Sequence, residues 1–369
     1  MEKNQKEKIE KAVQDIISGK KVKVTITLDD QNFNIKPLPV LLWNKLVFFC
    51  QKLIVPSHIK NWLLRTTGMN VGHDACIPHY ISFDPYFPEL IYMGVGSLIG
   101  GVSSVWAHRL EGKKLTLGKV ELKDKTMISG LVTLWPGAVV NSNSIVSLNS
   151  ELDHEIPEGE IWEGRPAKCI LKLTPEQIDK YFRKVDMDPK QYYKEFRKKV
   201  KAFQKDPNQS YLKIQYGGTR AGAGNDWWRA RNVLRIFYNG IIIELAKLLP
   251  HSWFKTLLYR MIGVKLGKNV HIGKGVVFDH IYCDMIVLED NVRVDDDCYF
   301  DGHEYTIAQT VFGRVRVKKG CHLKHHAFVR IGTTIGENTT IEPWSMAQRE
   351  IPPNEVWGGV PAKFIRKKK

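Results

Sequence analysis

His108 and His303 are the residues of this sequence best placed to do chemistry. They stand 195 positions apart, each ten residues ahead of a glycine, Gly118 and Gly313. An imidazole titrates close to neutral pH, so a histidine held in a loop can take a proton from one group and pass it to another. His322, His325 and His326 form a second group of metal-ligand type, and a zinc site wants three such side chains converging on one ion. The matching positions 195 residues earlier are Met127, Gly130 and Leu131, a set that would not hold zinc, so no metal is expected. Gly222-x-Gly224 alone is too short a motif for a nucleotide loop. Cys50, Cys76, Cys169, Cys283, Cys298 and Cys321 form no CxxC pair and fall in apolar segments, which points to reduced thiols in a cytoplasmic protein.

The spacing of the two histidines belongs to a longer self-similarity. Gly164-Arg-Pro166-Ala167-Lys168 returns as Gly359-Val-Pro361-Ala362-Lys363, and the same shift lays Gly72 on Gly267 and Glu155-Ile-Pro157 on Glu350-Ile-Pro352. The chain therefore divides into an N-terminal helix and strand extension (1–37), a first copy (38–172), a helical linker (173–232) and a second copy (233–369). In the linker, Thr174-Pro175-Glu176-Gln177 reads as a helix start. A second helix follows at 189–203 with Tyr193, Phe196, Val200 and Phe203 on one face, and Gly217 to Asn225 reads as a mobile connection.

Within each copy a six-residue period runs. Val315, Cys321, Ala327, Thr333, Thr339 and Ser345 form one row, with Val317, Leu323, Val329, Ile335, Ile341 and Ala347 two places on. Val120 to Ser150 and Leu122 to Leu152 repeat both rows in the first copy. Neither a helix nor a simple alternating strand has that period. A prism of short parallel strands does: each six-residue rung makes one side and a turn, and three rungs close a coil. The period fails between Val105 and Val120 and between Phe300 and Val315, so the loops carrying His108 and His303 leave the prism there. Gly267, Gly273, Gly332 and Gly336 fall at the turns. The open end of a prism exposes strand edges, and the helices ending near Arg65 and Arg260 are placed to cover it.

The rungs, the break with one histidine, and the closing Pro157-x4-Trp162-x-Gly-x-Pro-Ala-Lys168 and Pro352-x4-Trp357-x-Gly-x-Pro-Ala-Lys363 resemble the hexapeptide-repeat acyltransferases. The resemblance implies a mainly β fold of two left-handed parallel β-helix domains with intervening α-helices. It implies transfer of an acyl group, acetyl in the usual case, from coenzyme A to a hydroxyl or amine of a small acceptor such as a sugar. By the same resemblance His303 and His108 are general bases, and Gly130 and His325 supply backbone donors to the oxyanion. Lys168, Lys363, Arg366, Thr333 and Thr334 hold the coenzyme, and the groove lies between copies of a trimer-like homo-oligomer. The chain departs from the family pattern at His325 and His326, where small residues are usual, and at Asn141 and Ser142, opposite Gly336 and Glu337. A looser likeness is to the tandem acyltransferase-like regions of non-ribosomal peptide synthetases. The alternatives are a zinc lyase like the γ-class carbonic anhydrases and a non-catalytic or condensation partner in an assembly line.

The 369 residues are 43% hydrophobic and 25% charged, enough to bury a core in two or three domains, with a net charge of +16 that favours anionic partners. The aromatic and basic stretch 189–232, with Tyr192, Trp227, Trp228, Arg229 and Arg231, matches no nucleic-acid module, so no nucleic-acid partner is expected. Leu38 to Val55 and Val233 to Leu249 are apolar but broken by Lys45 and Lys52 and by Arg235, Glu244 and Lys247. They read as buried or interfacial helices rather than spans, which leaves peripheral contact with the inner face of a membrane open. Residues 1–24 are a Lys/Glu-rich helix pattern without a secretory apolar core, so the expected compartment is the cytoplasm.

Overall fold

The computed structural model describes residues 2–29, 36–182, 187–216, 226–306 and 309–368. The connection Gly217 to Asn225, its Gly222-x-Gly224 pair and Lys369 lie outside the described residues. The chain forms two compact units, one built mainly from residues 2–182 and one from 187–215, 227–305 and 309–368.

The first unit opens with α1 (Glu2–Ile17), the strand Lys23–Thr27, α2 (Leu38–Leu53) and α3 (His58–Arg65), and ends with α4 (Pro175–Phe182). The second opens with α5 (Pro189–Lys205), the strand Tyr211–Gln215, α6 (Trp227–Ala230), α7 (Val233–Leu248) and α8 (Trp253–Met261). The stretch read as a linker is therefore largely the second unit's own counterpart of α1 and Lys23–Thr27. Tyr193, Phe196, Val200 and Phe203 are buried on α5 as the periodicity predicts, joined by Tyr192. Thr174 and Gln177 cap α4 reciprocally, each side chain accepting the other's backbone N–H at 3.3 and 2.9 Å.

Between the helices each unit is a three-sided parallel β-helix. Met127 pairs with Leu98 below and Ile145 above, Thr133 with Ser104 and Glu151, and Val139 with Glu121 and Glu155, one pair of registers for each side. Every residue of the six-residue rows points inward and is at most 2% exposed. The inward hydroxyls are satisfied by the turns they stack on: Ser144 donates to the Pro157 carbonyl at 2.7 Å and Thr339 to that of Pro352 at 2.7 Å. That removes the cost of an unpaired buried polar group.

The open ends are covered as expected, α3 packing against Asn70–Val71 and α8 against Lys265–Leu266. Unforeseen are two fully buried lysines at corresponding positions. Lys60 donates to the carbonyls of Ile54 and Pro78 at 3.1 and 2.7 Å, and Lys255 to those of Leu249, at 2.9 Å, and Gly273. Burial pulls the Lys60 ammonium down to about 7 and that of Lys255 to about 8. Cys76, Cys283, Cys298 and Cys321 are buried free thiols, whereas Cys169 is exposed. No described helix is long and apolar enough to cross a membrane.

The turns explain the glycines. Gly332 has φ of 66°, while Gly336 is needed for space: a Cβ there would overlap the backbone of Pro352 and Pro353 in the next coil. Gly336→Ala should cost about 1–3 kcal/mol by overpacking, read as a lower Tm by calorimetry; an unchanged Tm would contradict this stacking.

Candidate active site

In both units the chain leaves the prism at the same corner, after Ser104–Val105 and after Tyr299–Phe300. Each excursion is an antiparallel hairpin rather than an irregular loop. His108–Glu111 pairs with Lys114–Gly118, and His303–Tyr305 with Gln309–Gly313. A third strand stiffens each hairpin, Lys23–Thr27 in the first unit and Tyr211–Gln215 in the second. The chain re-enters at Gly118 and Gly313, where a Cβ would collide with the backbone of Gly137 and Gly332 in the next coil. Each histidine is thus the first residue of a hairpin anchored at both feet.

A carboxylate that sequence reasoning missed holds each ring. Asp84 Oδ2 lies 2.5 Å from His108 Nδ1 and accepts the backbone N–H groups of Ala107 and His108 at 3.0 and 2.9 Å. Its Oδ1 accepts those of Tyr86 and Phe87 at 2.9 and 3.3 Å. Asp279 repeats the pattern: Oδ2 is 2.5 Å from His303 Nδ1 and accepts from Gly302 and His303, and Oδ1 accepts from Ile281 and Tyr282. The signal was present, because the shift of 195 also carries Asp84 onto Asp279.

Burial alone would raise the Asp279 carboxyl, but the charge and hydrogen bond of His303, with the N–H groups of Tyr282 and Gly302, hold it at about 2. It is therefore ionised, can only accept, and leaves His303 Nδ1 as the donor. The ring's other nitrogen, Nε2, keeps its lone pair for a substrate. Aromatic rings fix the imidazoles from the side: Tyr86 and Phe87 lie 5.4 and 5.7 Å from His108, and Tyr282 and Tyr305 lie 5.2 and 4.7 Å from His303. The histidine side chains stay 20% and 13% exposed, enough for access, while both aspartates are closed off.

The two units differ at the residue after each histidine. Arg109 lies over the Trp135 ring at 4.9 Å in the first unit. The corresponding pair in the second is Glu304 and Arg330, joined by two hydrogen bonds of 2.6 and 3.0 Å.

The other sequence-predicted residues lie elsewhere in each unit. Gly130 and His325 occupy the neighbouring corner of the prism, after Met127–Ile128 and His322–Leu323, so neither shares a corner with its own unit's histidine. Lys168, Lys363 and Arg366 are exposed on the closing strands Lys168–Lys172 and Lys363–Lys367, antiparallel to the last rung. Thr334 faces outward, but Thr333 is fully buried and donates to the Arg330 carbonyl at 2.6 Å, so it lines no surface groove. His322, His325 and His326 do not converge with His303: His322 pairs with Asp295 at 2.8 Å, and His326 stacks on Trp344 with centroids 3.9 Å apart. Among the described residues, His58, His73 and Asp74 bring three metal-ligating groups within 4.8 Å.

No family model matches the chain. It is 30% identical over 127 residues to "Putative acetyltransferase YvoF" of Bacillus subtilis (strain 168), covering 34% of this chain and 73% of that protein. It is 21% identical to the "Delta-poly-L-ornithine synthetase" of Acinetobacter baumannii (strain AB307-0294) across 85% of this chain, which spans only 27% of the synthetase. To the "Galactoside O-acetyltransferase" of Escherichia coli (strain K12) it is 28% identical over 31% of this chain and 61% of that enzyme. With six-residue rungs building the prism of both units and the match extending over nearly three quarters of the Bacillus protein, this chain belongs to the hexapeptide-repeat acetyltransferase family.

Proposed function

We propose that the chain transfers an acetyl group from acetyl-coenzyme A to a hydroxyl or amine of a small acceptor, with His108 and His303 as general bases. The observation that carries this reading is the buried carboxylate–imidazole pair at the foot of each hairpin, present twice at matching positions. A carboxylate on Nδ1 orients the ring and stabilises the imidazolium formed when Nε2 takes a proton. The acceptor oxygen or nitrogen attacks the thioester carbonyl as it loses that proton. The tetrahedral intermediate then expels the coenzyme A thiolate, which recovers the proton from the imidazolium, giving acetylated acceptor and free thiol.

In this reading Gly130 and His325 offer backbone N–H groups to the oxyanion. They lie at a different corner from the histidine of their own unit, which favours a site completed by a neighbouring copy and hence a homo-oligomer. Lys168, Lys363 and Arg366 suit the phosphates of the coenzyme. In the first unit three strand spacings, from Leu98 through Met127 and Ile145 to Ile161, separate the coil that launches His108 from the last rung. At about 4.8 Å each that is roughly 14 Å, a span suited to an extended pantetheine arm. Thr334 is the outward threonine that can line it. The name of the galactoside relative supports a sugar hydroxyl as acceptor, and an acyl-coenzyme A donor supports a cytoplasmic reaction.

Free thiol released from acetyl-coenzyme A with a panel of sugar and amine acceptors tests the reading. His108→Ala with His303→Ala should lower turnover by about 10²–10⁴; full turnover in the double variant would overturn it. Asp279→Asn keeps the shape but offers the ring an amide in place of an obligate acceptor, and kcat at that site should fall by a similar factor, about 10²–10⁴. The same variant has a signature in stability. Because Asp279 titrates at about 2, below the ordinary 3.8, the stability it lends is full above that ordinary value and lost as pH falls through about 2. Acid unfolding followed by circular dichroism should be flatter over that window in Asp279→Asn than in the parent protein.

A further inference from the structure

The helices that close the prisms are apolar on the wrong side as well as the right one. On α7, Ile236, Asn239, Ile242, Ile243 and Ala246 face inward and are buried. The opposite stripe is Leu234 (79% exposed), Phe237, Tyr238, Ile241 (61%), Leu245 and Leu248 (71%), with no charged residue in it. On α8 the outward positions are Trp253 (78%), Phe254, Leu257, Arg260 and Met261. The first unit carries the same feature: Leu38, Leu42, Leu46 and Phe49 on α2, and Ile59 and Trp62 on α3, are all exposed. Trp43 Nε1 donates to Thr66 Oγ1 at 3.2 Å, tying the end of one apolar face to the other. Patches of this extent are not the scattered exposed leucines of an ordinary surface.

The two copies keep the feature while changing around it. Leu42 matches Phe237, Leu46 matches Ile241, Ile59 matches Phe254 and Trp62 matches Leu257, apolar and outward in both. Beside the histidines, by contrast, Arg109 has become Glu304 and Trp135 has become Arg330.

Charge selects the occupant. Apart from the buried Lys60, residues 36–72 contain Lys45, Lys52, Arg65 and Lys36, the last paired with Glu89 at 2.5 Å, and no acid. Apart from the buried Lys255, residues 233–268 contain Arg235, Lys247, Arg260, Lys265 and Lys268 against the single acid Glu244, which is paired with Lys247 at 2.9 Å. Apolar faces rimmed by cations and carrying exposed tryptophans match the boundary between acyl chains and anionic headgroups. At 16 residues α2 and α7 are about 24 Å long, short of a hydrocarbon core of about 30 Å. That length suits a helix lying in the plane of an interface rather than spanning it. We propose that each unit docks on an anionic lipid bilayer through the outward face of its helix pair, α2 with α3 and α7 with α8. This docking is independent of the acyl-transfer reading and stands or falls separately from it.

Flotation of the full chain with vesicles tests the proposal. The protein should float with phosphatidylcholine vesicles containing about 30% phosphatidylglycerol and far less with phosphatidylcholine alone. Phe237→Glu with Ile241→Glu, combined with Leu42→Glu and Leu46→Glu, should cut the floated fraction about tenfold. These positions face outward, so the circular dichroism melt should stay unchanged and certify the fold. As a second reading on the unmutated face, the emission of Trp253 should shift to the blue on adding the anionic vesicles, a shift lost in Trp253→Phe. Equal flotation of parent and variant would overturn the proposal. So would absence of flotation by the parent, with light scattering showing that the same four substitutions dissociate an oligomer, since the faces would then be covered by another copy of the chain.

Discussion

Asp279 accepts the N–H groups of Ile281 and Tyr282 on one oxygen and those of Gly302 and His303 on the other, and the second oxygen also meets the imidazole of His303. One buried charge thereby ties its own turn to the corner of the next coil and fixes the histidine that starts the hairpin. Removing it would free four backbone donors as well as the ring. Asp84 makes the same five contacts in the first unit. The prism supplies what such a contact needs, two successive corners held one strand spacing apart by fully buried rungs. Geometry at the base is therefore set by the core and not by the loop that displays it.

That arrangement also separates what is shared between the copies from what is free to change. Rungs, aspartate, histidine and re-entry glycine coincide under the shift of 195, because each is bound by packing or by a backbone hydrogen bond. The residue after each histidine, Arg109 or Glu304, and its partner do not coincide in type. An arginine lies over a tryptophan in one unit, and a glutamate is clamped by an arginine in the other. The outer sides of the prisms diverge as well. Leu98, Met127 and Ile145 in the first unit give way to Arg293, His322 and Thr340 in the second, and the apolar set packs with Phe182 of α4.

The prism was legible because its period is written into the inward residues, which the structure buries without exception. The breaks at Val105 and Phe300 were equally plain, and so were the two histidines they display. Asp84 and Asp279 were not, since an aspartate at a turn is common and its role depends on a corner stacked 24 residues later. The second unit's true start was hidden for a related reason. The spacing between its first helix and α7 differs from the spacing in the first copy, so a fixed shift loses the likeness of α5 to α1. Thr333 was misplaced because the same threonine type serves inward and outward positions, and only the register of the rung decides which. The exposed stripe of α7 was read as an apolar segment broken by charge, yet its charges and its outward apolar residues fall on different sides of the helix.

The claim on which the account turns is that a buried carboxylate holds each histidine as a donor through Nδ1 and leaves Nε2 bare. Nitrogen NMR of the protein with labelled histidine, read at a pH where the rings are neutral and assigned by His108→Ala and His303→Ala, measures that directly. The account predicts the Nδ1–H tautomer for both rings. A neutral Nε2–H tautomer at either position would contradict it, because the nitrogen facing the acceptor would then have no lone pair with which to take the proton.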